Sequence, residues 1–360
     1  MRTLPTRVLL PALPAVLLVV VGLGGCVTDD EDAAASCEPS DIPDHELHTL
    51  VIEGDPWSGY APFRNDRWLE LGAHPQDGIY VEQLCQDVRA ADLSSGRADI
   101  ALTTLDQYLL HRPEGTVVGV IDQSRGADAL ALDTPTYPYL KGVDDLRRLV
   151  DELARDGDRP VLAYTGSSPS EMLLNELANT TEELHLSDYE LVPVDQSATA
   201  LQMLKNNEAQ LAVIWEPDTS AARSAGYTIA LSSRDVPDSI VDVIVASNDL
   251  IEHDPEAVQA VVSSFYEAMD DYLADPGTFQ RMIAQDGGLT PSEADSVIAG
   301  IKLYGSAEAD AFMNDDVFPL DQPQVERSLR SIGALLALLH PSVRPDLAAV
   351  DGSFVQEASP

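Results

Sequence analysis

The chain has 360 residues, of which 61 are acidic and 21 basic, a formal net charge of −40. Acidity of that sign repels phosphate backbones and excludes nucleic-acid binding. It is spread along the sequence rather than blocked, as on a solvated, salt-tolerant surface, and says nothing about a ligand.

The chain opens on a targeting pattern: Arg2 and Arg7 precede an apolar run from Val8 to Leu23 that ends Leu23-Gly24-Gly25-Cys26. Pro11 and Pro14 interrupt the run, which is short of the about 20 apolar residues a membrane span needs, so residues 1–25 read as a cleaved signal peptide. Small residues followed at once by Cys26 resemble a lipobox. That resemblance implies cleavage before Cys26 and acylation of its thiol, each buried methylene contributing about 0.8 kcal/mol to anchoring. The alternative is an ordinary signal peptide with an incidental cysteine. Residues 26–46 then form a lipidated cysteine and tether, with Asp29 to Ala35 reading as a short polar stretch. Exported Cys37 and Cys85 meet an oxidising compartment and either pair or are buried separately. The absence of a Cys-x-x-Cys pair argues against redox catalysis.

Strands alternate with helices beyond the tether. Candidate strands are His48 to Glu53, Ile79 to Leu84, Asp99 to Thr103, Thr116 to Asp122 and Ala129 to Leu132. A second set runs Pro160 to Tyr164, Tyr189 to Pro193, Leu211 to Trp215, Thr228 to Leu231 and Val241 to Ala246. Helical stretches such as Val143 to Arg155 and Ala198 to Asn206 separate them, which predicts an α/β fold with largely parallel sheets. Ser168-Pro169-Ser170-Glu171 and Thr290-Pro291-Ser292-Glu293 carry a capping hydroxyl, proline at the first helical position and Glu three residues on. Past Asp254 the pattern is helical, with Pro255 to Ala274 the longest piece. Arg97-Ala98-Asp99-Ile100-Ala101-Leu102 and Glu208-Ala209-Gln210-Leu211-Ala212-Val213 occupy equivalent places, each after a helix, and imply two similar units.

In open α/β sheets a ligand lies beyond the carboxyl ends of the strands, and two facing units make a cleft. The turns there supply the candidates. Trp57, Ser58, Gly59 and Tyr60 follow the first strand, with aromatics that stack on a ligand or simply cover the core. Thr103, Thr104 and Asp106 follow the third, and Gln123 and Ser124, beside Asp122, the fourth; helix capping or a solvated loop explains each equally well. Arg125 pairs with an anionic group or with Asp128. Gly166, Ser167 and Ser168 open a helix whose backbone amides cradle an oxygen; capping accounts for Ser168 alone. Trp215 and Glu216 end the matching strand of the second unit. Glu216 and Asp242 point to a ligand with a donor or positive group, a small zwitterion or polar heterocycle rather than nitrate.

Trp57-Ser58-Gly59-Tyr60-Ala61-Pro62 resembles a turn of the ABC-importer binding proteins for nitrate, alkanesulfonates, taurine and thiamine pyrimidine precursors. Leu93 to Ala101, Asp122 to Asp128, Gly166 to Ser170, Trp215-Glu216-Pro217 and the Asp242 to Ala246 strand are similar to further segments of that family, in the same order. The interval from Gln83 to Ala91 departs from it. The resemblance implies a type II periplasmic-binding-protein-like fold, two lobes joined by two crossovers: residues 47–135 and 237–360 as lobe 1, 136–236 as lobe 2. It implies a monomeric, extracytoplasmic lipoprotein that captures a small solute and delivers it to an ABC permease driven by ATPase subunits, without cofactor. A sensing or scaffolding lipoprotein on the same fold is the alternative. Enzyme readings lack a phosphate loop, a Gly-x-Ser-x-Gly elbow and a His-Glu-x-x-His helix, and His45 and His48 lack metal-binding partners.

Overall fold

The computed structural model describes residues 50–65, 79–317, 321–344 and 348–358. The leader, Cys26, Cys37, His45 and His48 lie outside them. Two large sheets, beside a small two-stranded one (Asp316–Val317 with Gln322–Pro323), carry the described chain. The first contains β1 (Leu50–Gly54), β2 (Ile79–Gln83), β3 (Ile100–Thr104) and β4 (Gly115–Ser124). The second contains β5 (Ala129–Leu132), β6 (Val161–Thr165), β7 (Glu190–Val194), β8 (Leu211–Ile214) and β9 (Thr228–Ser232). The chain then returns to the first through β10 (Val241–Ser247) and later β11 (Ile301–Leu303). The strand orders are β11-β4-β10-β3-β1-β2 and β7-β6-β8-β5-β9.

Neither sheet is as parallel as the sequence suggests. β1 runs parallel to β2 and β3, and β6 to β7 and β8. The crossover strands run against their neighbours: β5 against β8 and β9, β10 against β3 and β4. A crossover enters its sheet from the other lobe, at the carboxyl ends of the parallel strands, and so points the opposite way. The expected boundary at 135 also shifts, because β5 is bonded wholly within the second sheet; the first crossing is Arg125–Asp128. The C-terminal region is not purely helical either, since β11 closes one edge of the first sheet against β4.

The second sheet is covered on both faces, so period-2 alternation sorts side chains by size rather than polarity. Leu130, Leu162, Leu211 and Val213 pack on one face against Leu146, Leu149, Leu173 and Leu177. Ala131, Ala163, Ala212 and Ile214 pack on the other against Ala200, Leu201 and Leu204. Strands of the first sheet pack around Phe265, Tyr266 and Met269 of the Pro255–Ala274 helix, and Phe63 stacks on Phe265 with ring centroids 4.6 Å apart. A bulge interrupts the β10–β4 register between Asp242 and Val243. Tyr266 Oη satisfies Val120 beside it, donating to its carbonyl (2.7 Å) and accepting from its N–H (3.0 Å).

The capping signals hold. Ser168 Oγ accepts from Ser170 N–H, and Thr290 with Glu293 forms a capping box.

Candidate functional site

Because β10 is antiparallel, its first residues lie at the carboxyl ends of β3 and β4. Asp242 is thereby flanked by Thr104 on one side and Asp122 on the other. The turn after β1 folds as a 3-10 helix, Ser58–Arg64, over the same end. Trp57 Nε1 donates to Asp122 Oδ2 (3.1 Å) and Tyr60 Oη to Asp242 Oδ1 (2.5 Å). Gly59 allows this approach, since a Cβ there would run into Asp122 Oδ2 and Trp57 Nε1.

A cleft of roughly 300 Å³, part of it open to solvent, lies above these residues. The first lobe contributes Asp55, Trp57, Tyr60, Gln86, Thr104 and Asp242; the crossovers contribute Asp128 and Ile240; the second lobe contributes Pro169 and Trp215. Met172 and Trp215 of the second lobe pack with the first lobe's core, so the two lobes meet across it.

Of the residues singled out from sequence, Trp57, Tyr60, Thr104, Trp215 and Asp242 line the cleft. Ser58 and Gly59 are buried behind it. Thr103 Oγ1 donates to Gln86 Oε1 (2.8 Å), one step away. Asp106 is fully buried and accepts from Gln107 Nε2. Gln123 and Ser124 belong to the hinge. Gln123 Nε2 donates to Asp238, while Ser124 Oγ, Ser233 Oγ and the Gly126 and Asp128 amides tie the two crossovers together. Arg125 approaches Asp238 and Gln123, not Asp128.

Two expectations need correction. The amides after β6 are not free for a ligand: Gly166 N–H donates to Val194 carbonyl, Ser167 N–H to Glu171, and Ser168 Oγ caps the helix while donating to Thr165 carbonyl. Glu216 turns away from the cleft; Ser220 N–H, Ser220 Oγ and Arg223 donate to its carboxylate. Its side chain satisfies the start of the Asp218–Ser224 helix, which a strand-end position does not reveal.

Sequence reading also missed three neighbours. Asp55 accepts from Trp57 N–H (2.9 Å), Gln86 Nε2 and Arg89 Nη2 (2.8 Å). Arg89 is fully buried and also donates to Leu102 carbonyl. Gln86 and Arg89 ride on the Gln86–Ser95 helix, which follows disulfide-bonded Cys85. This is the interval that departs from the resembled family, and a lone arginine in so acidic a chain was the available signal.

The site is rich in carboxyl groups and lean in donors. Burial raises Asp122 to about 7 and Asp128 to about 8, and raises Asp242 well above the usual carboxylate range, with Asp122 adding to it. Asp122 Oδ1, Asp242 Oδ2, Asp128 Oδ2 and Thr104 Oγ1 are buried without a hydrogen-bond partner among the described residues.

Residues 156–278 match the NMT1/THI5 like family. The fold matches the ligand-binding component of an ABC-type import system from Staphylococcus aureus, with a TM-score of 0.66 at 16% identity, covering 87% of this chain and 99% of that one. It matches the nitrate-binding protein NrtA from Synechocystis PCC 6803 with a TM-score of 0.66 at 13% identity, covering 87% and 88%. The alkanesulfonate-binding protein SsuA from Xanthomonas axonopodis pv. citri matches with a TM-score of 0.62 at 16% identity, covering 83% and 96%. Comparison with curated protein sequences gives no match. The architecture is therefore the type II periplasmic-binding-protein fold.

Proposed function

We propose that this chain, periplasmic-binding-protein-like in fold and NMT1/THI5-like over residues 156–278, is the solute-binding component of an ABC importer. The observation that carries the reading is the cleft. Both lobes and both crossovers line it, at the strand ends where such sheets bind ligands, and hydrogen bonds between the crossovers supply an axis for opening and closing. Trp57, Tyr60 and Trp215 are the aromatic walls for a small polar organic solute. Capture at micromolar level needs about −8 kcal/mol, within reach of stacking and a few hydrogen bonds. The lipobox-like Cys26 supports a lipid-anchored, extracytoplasmic location, and Cys37 is the proposed partner of Cys85. The protein acts as a monomer without catalysis and passes its solute to a permease powered by separate ATPase subunits.

A thermal-shift screen against taurine, alkanesulfonates, nitrate, pyrimidines, amino acids and polyamines, followed by uptake assays in a deletion strain, tests this. A saturable rise in melting temperature, lost in Trp215→Ala, together with impaired uptake of the same solute, is expected. A bound solute whose uptake survives deletion would transfer the protein to the sensing or scaffolding class.

A further inference from the structure

Resting on that reading, we propose that the cleft selects an organic cation bearing N–H donors, an ammonium or amidinium group, which takes the place of a proton shared by Asp122 and Asp242.

The register places these two residues opposite each other on neighbouring strands, and their carboxyls come within hydrogen-bonding reach. Each is engaged on one oxygen only, by Trp57 and by Tyr60 respectively. The remaining oxygens, Asp122 Oδ1 and Asp242 Oδ2, receive no hydrogen bond from any other described residue, although both side chains are essentially inaccessible to water. Two such carboxyls cannot both ionise without a positive partner, so one proton is held between them.

Among the described residues the surroundings supply no such partner. Asp55, Asp128 and Tyr60 face Asp242, Asp55 also faces Asp122, and Asp106 and Glu216 act on Asp128. Tyr304 faces Asp122 from the β11 side; Lys302 there sits over the Tyr304 ring, and Arg125 is near both. The buried cation Arg89 is committed to Asp55 and the Leu102 carbonyl. An oxyanion entering this cleft meets unpaired acceptors. A flat or small cation meets acceptors below it and aromatic rings beside it, the arrangement that favours cations both by charge and by ring quadrupole.

When the cation binds, its N–H groups donate to Asp242, which lines the cleft, with Asp122 beside it on the neighbouring strand, and the shared proton leaves to solvent. Binding therefore releases protons and strengthens as pH rises. The proton held between Asp122 and Asp242 belongs to a pair raised to about 7 or beyond, so affinity gains at least about tenfold between pH 6 and pH 8.

Calorimetry on the full chain with matched probes tests this: benzamidine, benzamide and benzenesulfonate share a ring and differ in charge, and propylammonium, propionamide and propanesulfonate do the same without one. In at least one series the cation is expected to bind ten times more tightly than its neutral and anionic partners, with at least about tenfold gain from pH 6 to 8 and protons released into buffers of different ionisation heat. Asp242→Asn and, separately, Asp122→Asn should abolish the pH dependence in protein that still melts cooperatively. Equal or tighter binding of an amide or sulfonate overturns the inference but leaves solute capture standing, as does cation binding that is flat with pH. No cation binding in either series at millimolar concentration also overturns it, and the separate uptake assay then decides the importer reading.

Discussion

Replacing Arg89 with leucine removes the one cation that the described residues bury beneath the cleft. The side chain is fully buried; it donates to Asp55 Oδ2 at 2.8 Å and to the Leu102 carbonyl. Leucine fills much of the volume, so the dominant cost is electrostatic. Asp55 keeps the Trp57 amide and a long contact to Gln86 but loses its counter-charge, and breaking a buried pair from one side typically costs about 3–5 kcal/mol. Against a total stability of about 5–15 kcal/mol, that is a large fraction. For a urea slope of about 3 kcal/mol per molar, the midpoint should fall by about 1–1.7 M. The double variant Arg89→Leu with Asp55→Asn should recover part of the loss, because no charge is then stranded. A single variant within about 1 kcal/mol of the parent, or a double variant no better than the single, would refute the reasoning.

Gly59→Ala drives a methyl into Asp122 and Trp57; it should cost about 1–3 kcal/mol and change the near-ultraviolet dichroism of tryptophan, and an unchanged spectrum would mean the turn relaxes freely. Ser168→Ala removes the cap at Ser170 N–H and the donor to Thr165, lowering stability by about 1 kcal/mol; Ser168→Asp, which can still cap, should lose less. Burial raises Glu53 and Asp128 to about 8, and Asp122, Glu176 and Glu216 to about 7. The folded state then holds protons that the unfolded chain releases at ordinary carboxylate values, so ligand-free stability is highest at low pH and falls as pH rises through 7 to 8. One such group gives a slope of about 1.4 kcal/mol per pH unit, and a melting temperature that climbs from pH 5 to pH 8 would contradict the burial argument.

What the sequence made legible was local. Apolar runs located β1 to β10 to within a residue or two, since buried strands in a two-sided sheet announce themselves by composition. The Pro-capped helices were readable for the same reason, as caps depend on four consecutive residues. The direction of β5 and β10 was not, because it depends on which lobe the chain comes from. Trp57 and Tyr60 were found from their turn after a strand and Asp242 from the crossover strand that resembles the family's, but the strand-end rule also drew in Glu216, whose partners lie four and seven residues ahead, and Gly166, whose amide is taken by β7. Asp55, Gln86 and Arg89 form a triad across more than thirty residues of sequence, and no local pattern joins them.

The strand order of the first sheet also dictates a sequence of events during synthesis. β10 lies between β3 and β4, so those two strands have no bond to each other and wait with bare edges until residue 247 has been made. All five strands of the second sheet lie between residues 129 and 232 and can pair before then. The second lobe should therefore protect its backbone amides first, the reverse of the usual N-terminal-first order. Pulsed hydrogen exchange on stalled or refolding chains would show β6 and β8 protected ahead of β3 and β4, and simultaneous protection would contradict it. Until the crossover strand arrives, two exposed edges are open to mispairing, which makes the last third of the chain the guardian of the first.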